Sequence, residues 1–183
     1  PFAMTGGGTY CAGGTGVHVG LSSSALGIKY QLMIDGSPSG TPLPGTGSSI
    51  DFGAQITPGT YTVVATNNTT LCSNNMPGSV AVATIPLPTA YTVSGGGSYC
   101  AGGTGVDIAL SGTDNLLEYQ LYRGVTAVGT PVVGGGGSIS FGLQTAGGNY
   151  TVVASDPTTG CSKKMNSSAN VVINPLPTVF TVL

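Results

Sequence analysis

Charge is what this sequence has least of. Four Lys or Arg and six Asp or Glu make up 5% of its 183 residues, against roughly 25% in an average soluble domain. With a formal net charge of −2, it offers no basic footprint for nucleic acid or an anionic lipid surface. Tryptophan is absent and His18 is the single histidine. The first absence weakens a sugar-stacking platform, and the second leaves a Ser–His or Cys–His dyad one candidate base. No apolar run approaches the roughly 18 residues that span a bilayer, no signal peptide is visible, and no stretch has helical periodicity. The polar surface must be Ser, Thr, Asn, Gln and bare glycine backbone, which is poorly protected by charge against self-association.

What the sequence does have is a repeat. The stretch GGGTYCAGGTGV at 6–17 returns as GGGSYCAGGTGV at 95–106. Cys11 to Cys100 and Cys72 to Cys161 are both 89 positions apart, and Tyr30-Gln31-Leu32, Tyr61 to Ala65 and Pro86-Leu87-Pro88 recur at 119, 150 and 175 without insertion. The expected organisation is therefore two domains, 1–88 and 89–177, joined by a short, stiff Pro-Leu-Pro linker. Residues 178–183 align with Phe2 and Tyr91 as the first strand of a further copy, so the chain reads as a window on a longer array. The apolar fraction of 40% is too high for a disordered tail, and about 90 residues suffice for one modest core.

Within a repeat the period is two. Val17, Val19 and Leu21 alternate with His18 and Gly20; Ile28, Tyr30, Leu32 and Ile34 alternate with Lys29, Gln31 and Met33. Both patterns are strands with one buried face. Further strands are expected at Phe2 to Thr5, Tyr10-Cys11, Ser49 to Phe52, Tyr61 to Ala65 and Val80 to Ala83. A short edge strand is expected around Thr41, where the prolines confine it to an edge. About seven strands and no helix predict an all-β sandwich. Tyr61, just after the Pro58-Gly59 turn, and its counterpart Tyr150 resemble the tyrosine corner of immunoglobulin-like sandwiches.

Two cysteines per repeat allow competing pairings. Domains that fold independently should use the same bridge each time, which favours Cys11–Cys72 and Cys100–Cys161 over Cys72–Cys100 across the linker. Closing a loop of about 60 residues contributes roughly 4 kcal/mol in the chain-entropy model. Such a bridge would tie the glycine-rich turn to the loop after the tyrosine-corner strand at one end of the sandwich. Four unpaired thiols are disfavoured, since no Cys-x-x-Cys metal or redox spacing is present. Disulfides place the protein outside the cytosol.

A search for chemistry finds none that repeats. Lys29 aligns with Glu118, Asp35 with Gly124, Asp51 with Ser140 and His18 with Asp107. A general acid–base pair or an acidic Ca²⁺ cage needs such groups clustered, so no catalytic, metal or cofactor residue is assigned. His18 reads as a solvated strand residue, and an isopeptide cross-link at Lys29 is set aside because the other copy lacks the lysine. Tyr10/Tyr99, Tyr30/Tyr119, Tyr61/Tyr150 and Phe52/Phe141 are repeat pairs and read as core. The Gly134 to Gly137 run reads as a turn, having no following helix with a Lys-Ser/Thr pair. Asn67, Asn68, Asn149 and Asn166 match the glycan-acceptor pattern, which also arises by chance. Tyr122 is the one unpaired aromatic, and with Arg123 it is the one candidate contact site for a ligand.

The combination of Cys-Ala-Gly-Gly-Thr-Gly-Val, Pro-Gly-Thr-Tyr-Thr-Val-Val-Ala, the Thr159-Gly160-Cys161 loop and Pro-Leu-Pro linkers resembles the tandem immunoglobulin-like repeats of very large Bacteroidota surface proteins. These are similar to gliding-motility adhesins and other cargo of the type IX secretion system. The first copy departs from the pattern at Leu71-Cys72, where Gly-Cys is expected, and a differently built loop is anticipated there. The resemblance implies an extracellular, cell-surface location and a fibre, stalk or adhesive role, and it brings no catalytic residues. Two readings follow. One is a non-catalytic structural repeat that associates with its own kind; the other is an adhesin module that binds glycan or protein through the variable segments 23–29, 33–39, 112–118 and 122–128. An accessory domain of a secreted enzyme ranks behind both.

Overall fold

The computed structural model describes residues 1–179. The chain divides into two compact units between Pro86 and Leu87, inside the first Pro-Leu-Pro linker. Most of the strand expected from residue 178 onward lies outside the described residues.

Unit 1 contains β1 (Met4–Gly6), β2 (Gly8–Cys11), β3 (Val17–Leu21), β4 (Ile28–Ile34), β5 (Ser37–Pro38), β6 (Leu43–Pro44), β7 (Ile50–Gln55), β8 (Gly59–Asn67), β9 (Ser73–Asn75) and β10 (Val80–Ile85). One sheet runs β1-β3-β7 and the other β2-β10-β8-β4, with β5 and β6 on the outer edge of β4 and β9 beside β8. Unit 2 repeats this with β11 (Val93–Gly95), β12 (Gly97–Cys100), β13 (Val106–Leu110), β14 (Glu118–Arg123), β15 (Thr126–Val133), β16 (Ile139–Gln144), β17 (Gly148–Ser155), β18 (Ser162–Lys164) and β19 (Ala169–Asn174). Its sheets are β11-β13-β16 and β12-β19-β17-β14-β15. An opening strand shared between two sheets, with its second half parallel to the last strand, makes each unit an immunoglobulin-like sandwich.

The period of two produces this directly. Along β8, Tyr61, Val63 and Ala65 are buried while Thr62, Val64 and Thr66 lie on the other face. The inner faces of the two sheets form one core, Val19, Leu21 and Ile50 meeting Tyr30, Leu32, Tyr61, Val63 and Val82. Unit 2 builds the same core from Ile108 and Leu110 with Tyr119, Leu121, Tyr150, Val152 and Val171. Each such side chain contributes about 1.5–3 kcal/mol on burial, so a charge at Val63 would break the sandwich before any loop change did.

The strands outnumber the expected seven for three reasons. The opening strand switches sheets at its glycine triplet, where Gly7 has φ 75° and a Cβ would lie 2.8 Å from the Ala81 carbonyl oxygen. The last strand is interrupted by Pro77-Gly78, so that β9 and β10 lie one after the other along the same edge of β8. The edge strand expected around Thr41 is split into β5 and β6 on either side of it, because Pro38, Pro42 and Pro44 interrupt the ladder. Unit 2 has only Pro131 there and keeps a continuous β15.

Repeated polar residues hold this frame. Gln31 Nε2 donates to the carbonyls of Leu32 (2.8 Å) and Ser39 (3.0 Å), and Gln120 does the same to Leu121 (2.8 Å) and Val128 (2.9 Å). Buried Ser24 donates to the Ser48 carbonyl (2.6 Å) and accepts from the Thr46 N–H (2.9 Å). Thr113 takes the same role with Gly137 and Gly135. Among the described residues no buried side-chain N or O lacks a partner, as a satisfied polar core requires.

Candidate functional site

The tyrosine corners lie where the sequence places them. Tyr61 Oη donates to the Thr57 carbonyl and Tyr150 Oη to the Ala146 carbonyl, both at 2.7 Å. Both rings are buried. Burial pushes the Tyr61 hydroxyl pKa up, with the bond to Thr57 partly opposing it. These groups brace a corner, leaving no phenol available for chemistry.

The cysteines depart from expectation. Cys11 and Cys161 are disulfide-bonded, whereas Cys72 and Cys100 carry free, exposed thiols. The predicted bridges Cys11–Cys72 and Cys100–Cys161 are therefore not formed, and the strand register gives the reason. Cys11 pairs with Ile85, three residues past the point where Val82 meets Gly59 at the start of β8. Cys72 adjoins Ser73, which pairs with Thr66 at the far end of β8. The two stand at opposite poles, on the order of 30 Å apart at about 3.3 Å per residue, while a disulfide needs Cα atoms within about 7 Å. Unit 2 repeats the separation, Cys100 pairing with Asn174 beyond Gly148 and Cys161 adjoining Ser162 opposite Ser155.

Each pole has a defined relation to the chain path. In unit 1 the chain begins near Cys72, since Phe2 and Cys72 line one cleft. It leaves beside Cys11, the Ala12 N–H donating to the Ile85 carbonyl (2.9 Å). In unit 2 it arrives on the Cys161 side, where the Tyr91 carbonyl accepts from the Asn166 N–H (2.8 Å) and the Tyr91 N–H donates to the Met165 sulfur (3.4 Å), and departs beside Cys100.

The loop carrying Cys72 is built like its counterpart despite Leu71, so the expected difference there is not found. The Asn67 side-chain oxygen accepts from the N–H groups of Thr69 (2.8 Å) and Thr70 (3.0 Å). Asp156 accepts from Thr158 N–H (2.8 Å) and the Thr159 hydroxyl (2.8 Å), which hold its carboxyl below the usual range, the hydroxyl chiefly. Leu71 sits at φ 61° where Gly160 sits at 73°. The pattern is general. The non-glycine residues with positive φ, Asp35, Leu71, Leu116 and Ser167, each align with a positive-φ glycine of the other unit: Gly124, Gly160, Gly27 and Gly78. Tertiary context thus imposes the left-handed turn even where the side chain opposes it.

Beside Cys72 lies a largely apolar cleft of about 350 Å³ lined by Phe2, Ala25, Ile28, Tyr30 and Met76. The counterparts of its cysteine and methionine in unit 2, Cys161 (0% exposed) and Met165 (3%), are buried. Asp114 replaces Ala25 there and takes the Thr89 N–H and the Tyr91 hydroxyl, each at 2.8 Å. Burial opposes ionisation of Asp114, but these donors outweigh it and keep the carboxyl below its ordinary range.

Tyr122 and Arg123 are consecutive in β14, so they project to opposite faces of the sheet. Tyr122 is half-buried on the outer face, and Arg123 is exposed with its stem near Gly148. His18 Nδ1 lies 2.7 Å from Asp51 on exposed strand faces. The Gly53 N–H first, and His18 second, lower the Asp51 pKa. In unit 2 this pair becomes Ser140 donating to Asp107 (2.5 Å), which conserves the cross-strand bond without the base. Lys29 is exposed, in register with Thr66 and Pro44. Among the described residues, no three His, Cys, Asp or Glu gather as a metal site.

No protein-family model matches the chain, and no curated protein matches it. Solved structures do. The three N-terminal domains of the bacteriophage RB49 highly immunogenic outer capsid protein match at 14% identity and TM-score 0.36, covering 94% of this chain and 58% of that one. Fibronectin(III)-like modules of Clostridium thermocellum CbhA match at 13% identity and TM-score 0.43, covering 99% and 100%. The human OSCAR ligand-binding domain matches at 13% and 0.37, covering 93% and 97%. The chain spans somewhat over half of the phage structure. At these scores the immunoglobulin-like assignment rests on the topology and the tyrosine corners.

Proposed function

We propose that this chain is a non-catalytic structural repeat of an extracellular fibre, stalk or sheath on a bacterial cell surface, associating with further repeats of its own kind. One observation carries the reading: what the two units share is architecture, and what they vary is chemistry. The corner bonds of Tyr61 and Tyr150, the glutamine clamps and the satisfied Ser24/Thr113 loops are duplicated. The His18–Asp51 contact has no second copy with a histidine, and the Tyr122 and Arg123 side chains diverge from one strand. Disulfide-bonded Cys11 and Cys161 support an oxidising compartment. An almost uncharged surface supports contact between copies.

Negative-stain electron microscopy of the oxidised protein, combined with a glycan-binding screen of the same sample, tests this. Ordered filaments or sheets without glycan binding are expected. Monodisperse particles that bind a glycan, and lose it on Tyr122→Ala, would overturn the stalk reading in favour of an adhesin module.

A further inference from the structure

We propose that Cys72 and Cys100 are covalent linkage sites for further repeats of this type, Cys100 of one copy bonding to Cys72 of the next in a head-to-tail chain. The proposal deepens the fibre-repeat reading and rests on it for the identity of the partner. Three observations on separate residues carry it.

First, the register forbids closure within a unit, since the two cysteines of each repeat occupy opposite poles. A cysteine that pairs must find its partner on a different repeat. Second, the repeat positions of the free thiols are bonded in the other copy. Cys161, counterpart of Cys72, is disulfide-bonded, and so is Cys11, counterpart of Cys100. Each position thus demonstrates the bond that its free equivalent lacks, and a turn cysteine and a loop cysteine are used once each. Third, Cys72 opens onto the apolar cleft of about 350 Å³ next to Phe2, Tyr30 and Met76, whereas Cys161 and Met165 at the matching pole are buried. The Cys72 pole has the surface of a covered site without its cover. The fitting occupant is the Cys100 pole of another copy, where Tyr99 and the small, uncharged turn Ala101-Gly102-Gly103-Thr104 flank the thiol. Pole-to-pole contact of this kind is heterologous and does not close on itself, so it propagates.

The chemistry balances with a small-molecule disulfide as oxidant. The Cys72 thiolate attacks oxidised glutathione, forming a mixed disulfide and releasing one glutathione thiolate. The Cys100 thiolate of a second copy then displaces the remaining glutathione. One interchain S–S bond forms, the glutathione disulfide is reduced to two thiols, and the two cysteine protons pass to solvent or to those thiolates.

The test is incubation of the purified 183-residue protein with a glutathione redox buffer, read by non-reducing electrophoresis and disulfide peptide mapping of mixed isotopically light and heavy copies. Expected are a ladder of two, three and more copies that collapses on reduction, and a mixed-isotope Cys72–Cys100 peptide, with Cys11 and Cys161 remaining oxidised. Cys72→Ser and Cys100→Ser should each abolish the ladder, leaving nothing larger than a dimer joined through the one remaining thiol. No ladder, an unshortened ladder in either variant, or a Cys72–Cys100 peptide found only within one copy would overturn the proposal. Filaments without Cys72–Cys100 peptides would remove this linkage and leave the fibre reading intact. A ladder from a protein that binds glycan through Tyr122 would do the reverse.

Discussion

Cys11 ends β2 and Cys72 immediately precedes β9 of the same sheet, yet the two stand at its opposite ends. The parallel pairing of β2 with β10 carries Cys11 past the start of β8, while Cys72 follows the end of β8. Equal spacing of cysteines along a chain therefore marks two poles of a sandwich, and oxidation state separates them.

The first prediction concerns that separation. Cys72→Ser should leave urea unfolding of unit 1 within about 0.5 kcal/mol of the parent, as expected for an exposed group without a structural bond. Were Cys72 bridged to Cys11, the same change would cost about 2–5 kcal/mol. Equilibrium denaturation of the freshly purified protein decides.

Removing one hydroxyl should expose the value of each corner. Tyr61→Phe keeps the buried ring but deprives the Thr57 carbonyl of its donor. A loss of about 0.5–1.5 kcal/mol is expected, with an equal loss for Tyr150→Phe in unit 2. No change in either unfolding midpoint would show that water replaces the hydroxyl.

The mismatched turns give a prediction of opposite sign. Leu71 is exposed at φ 61° where its counterpart is Gly160. Leu71→Gly relieves about 1–2 kcal/mol of left-handed strain and gives back part of it through a freer unfolded chain. A net gain of about 1 kcal/mol is expected. Gly160→Leu should reverse the sign, since a Cβ there meets nothing within 4 Å and only backbone strain opposes it.

Acid should act on unit 2 through Asp114. Its folded carboxyl titrates below the ordinary value of 3.8, so its contribution is fully present above that pH and disappears as pH falls through the lowered folded value. Asp114→Ala should therefore destabilise the protein at pH 6, and its deficit should shrink towards pH 3. A deficit independent of pH would assign the effect to packing. Unit 1 has Ala25 at this position, and its acid sensitivity arises instead at Asp51, whose carboxyl the Gly53 N–H and His18 hold below the ordinary range.

Fold class, the two-unit organisation and the corner tyrosines were legible in the amino-acid order alone. Alternation of Val17, Val19 and Leu21 with His18 and Gly20 is local information that a strand converts directly into a buried face. Tyr30, Tyr61, Tyr119 and Tyr150 announced themselves as core by recurring at a fixed offset. Whatever depends on strand register emerged only from the paired sheets. Cysteine spacing cannot distinguish one pole of a sheet from the other, because that depends on whether the opening strand pairs parallel or antiparallel with the last one. Leu71 likewise hides its φ of 61°: leucine disfavours that conformation, and it is the pairing of Thr66 with Ser73 that closes the loop around it. The cleft beside Cys72 is assembled from Phe2, Tyr30 and Met76, residues brought together only when the two sheets close.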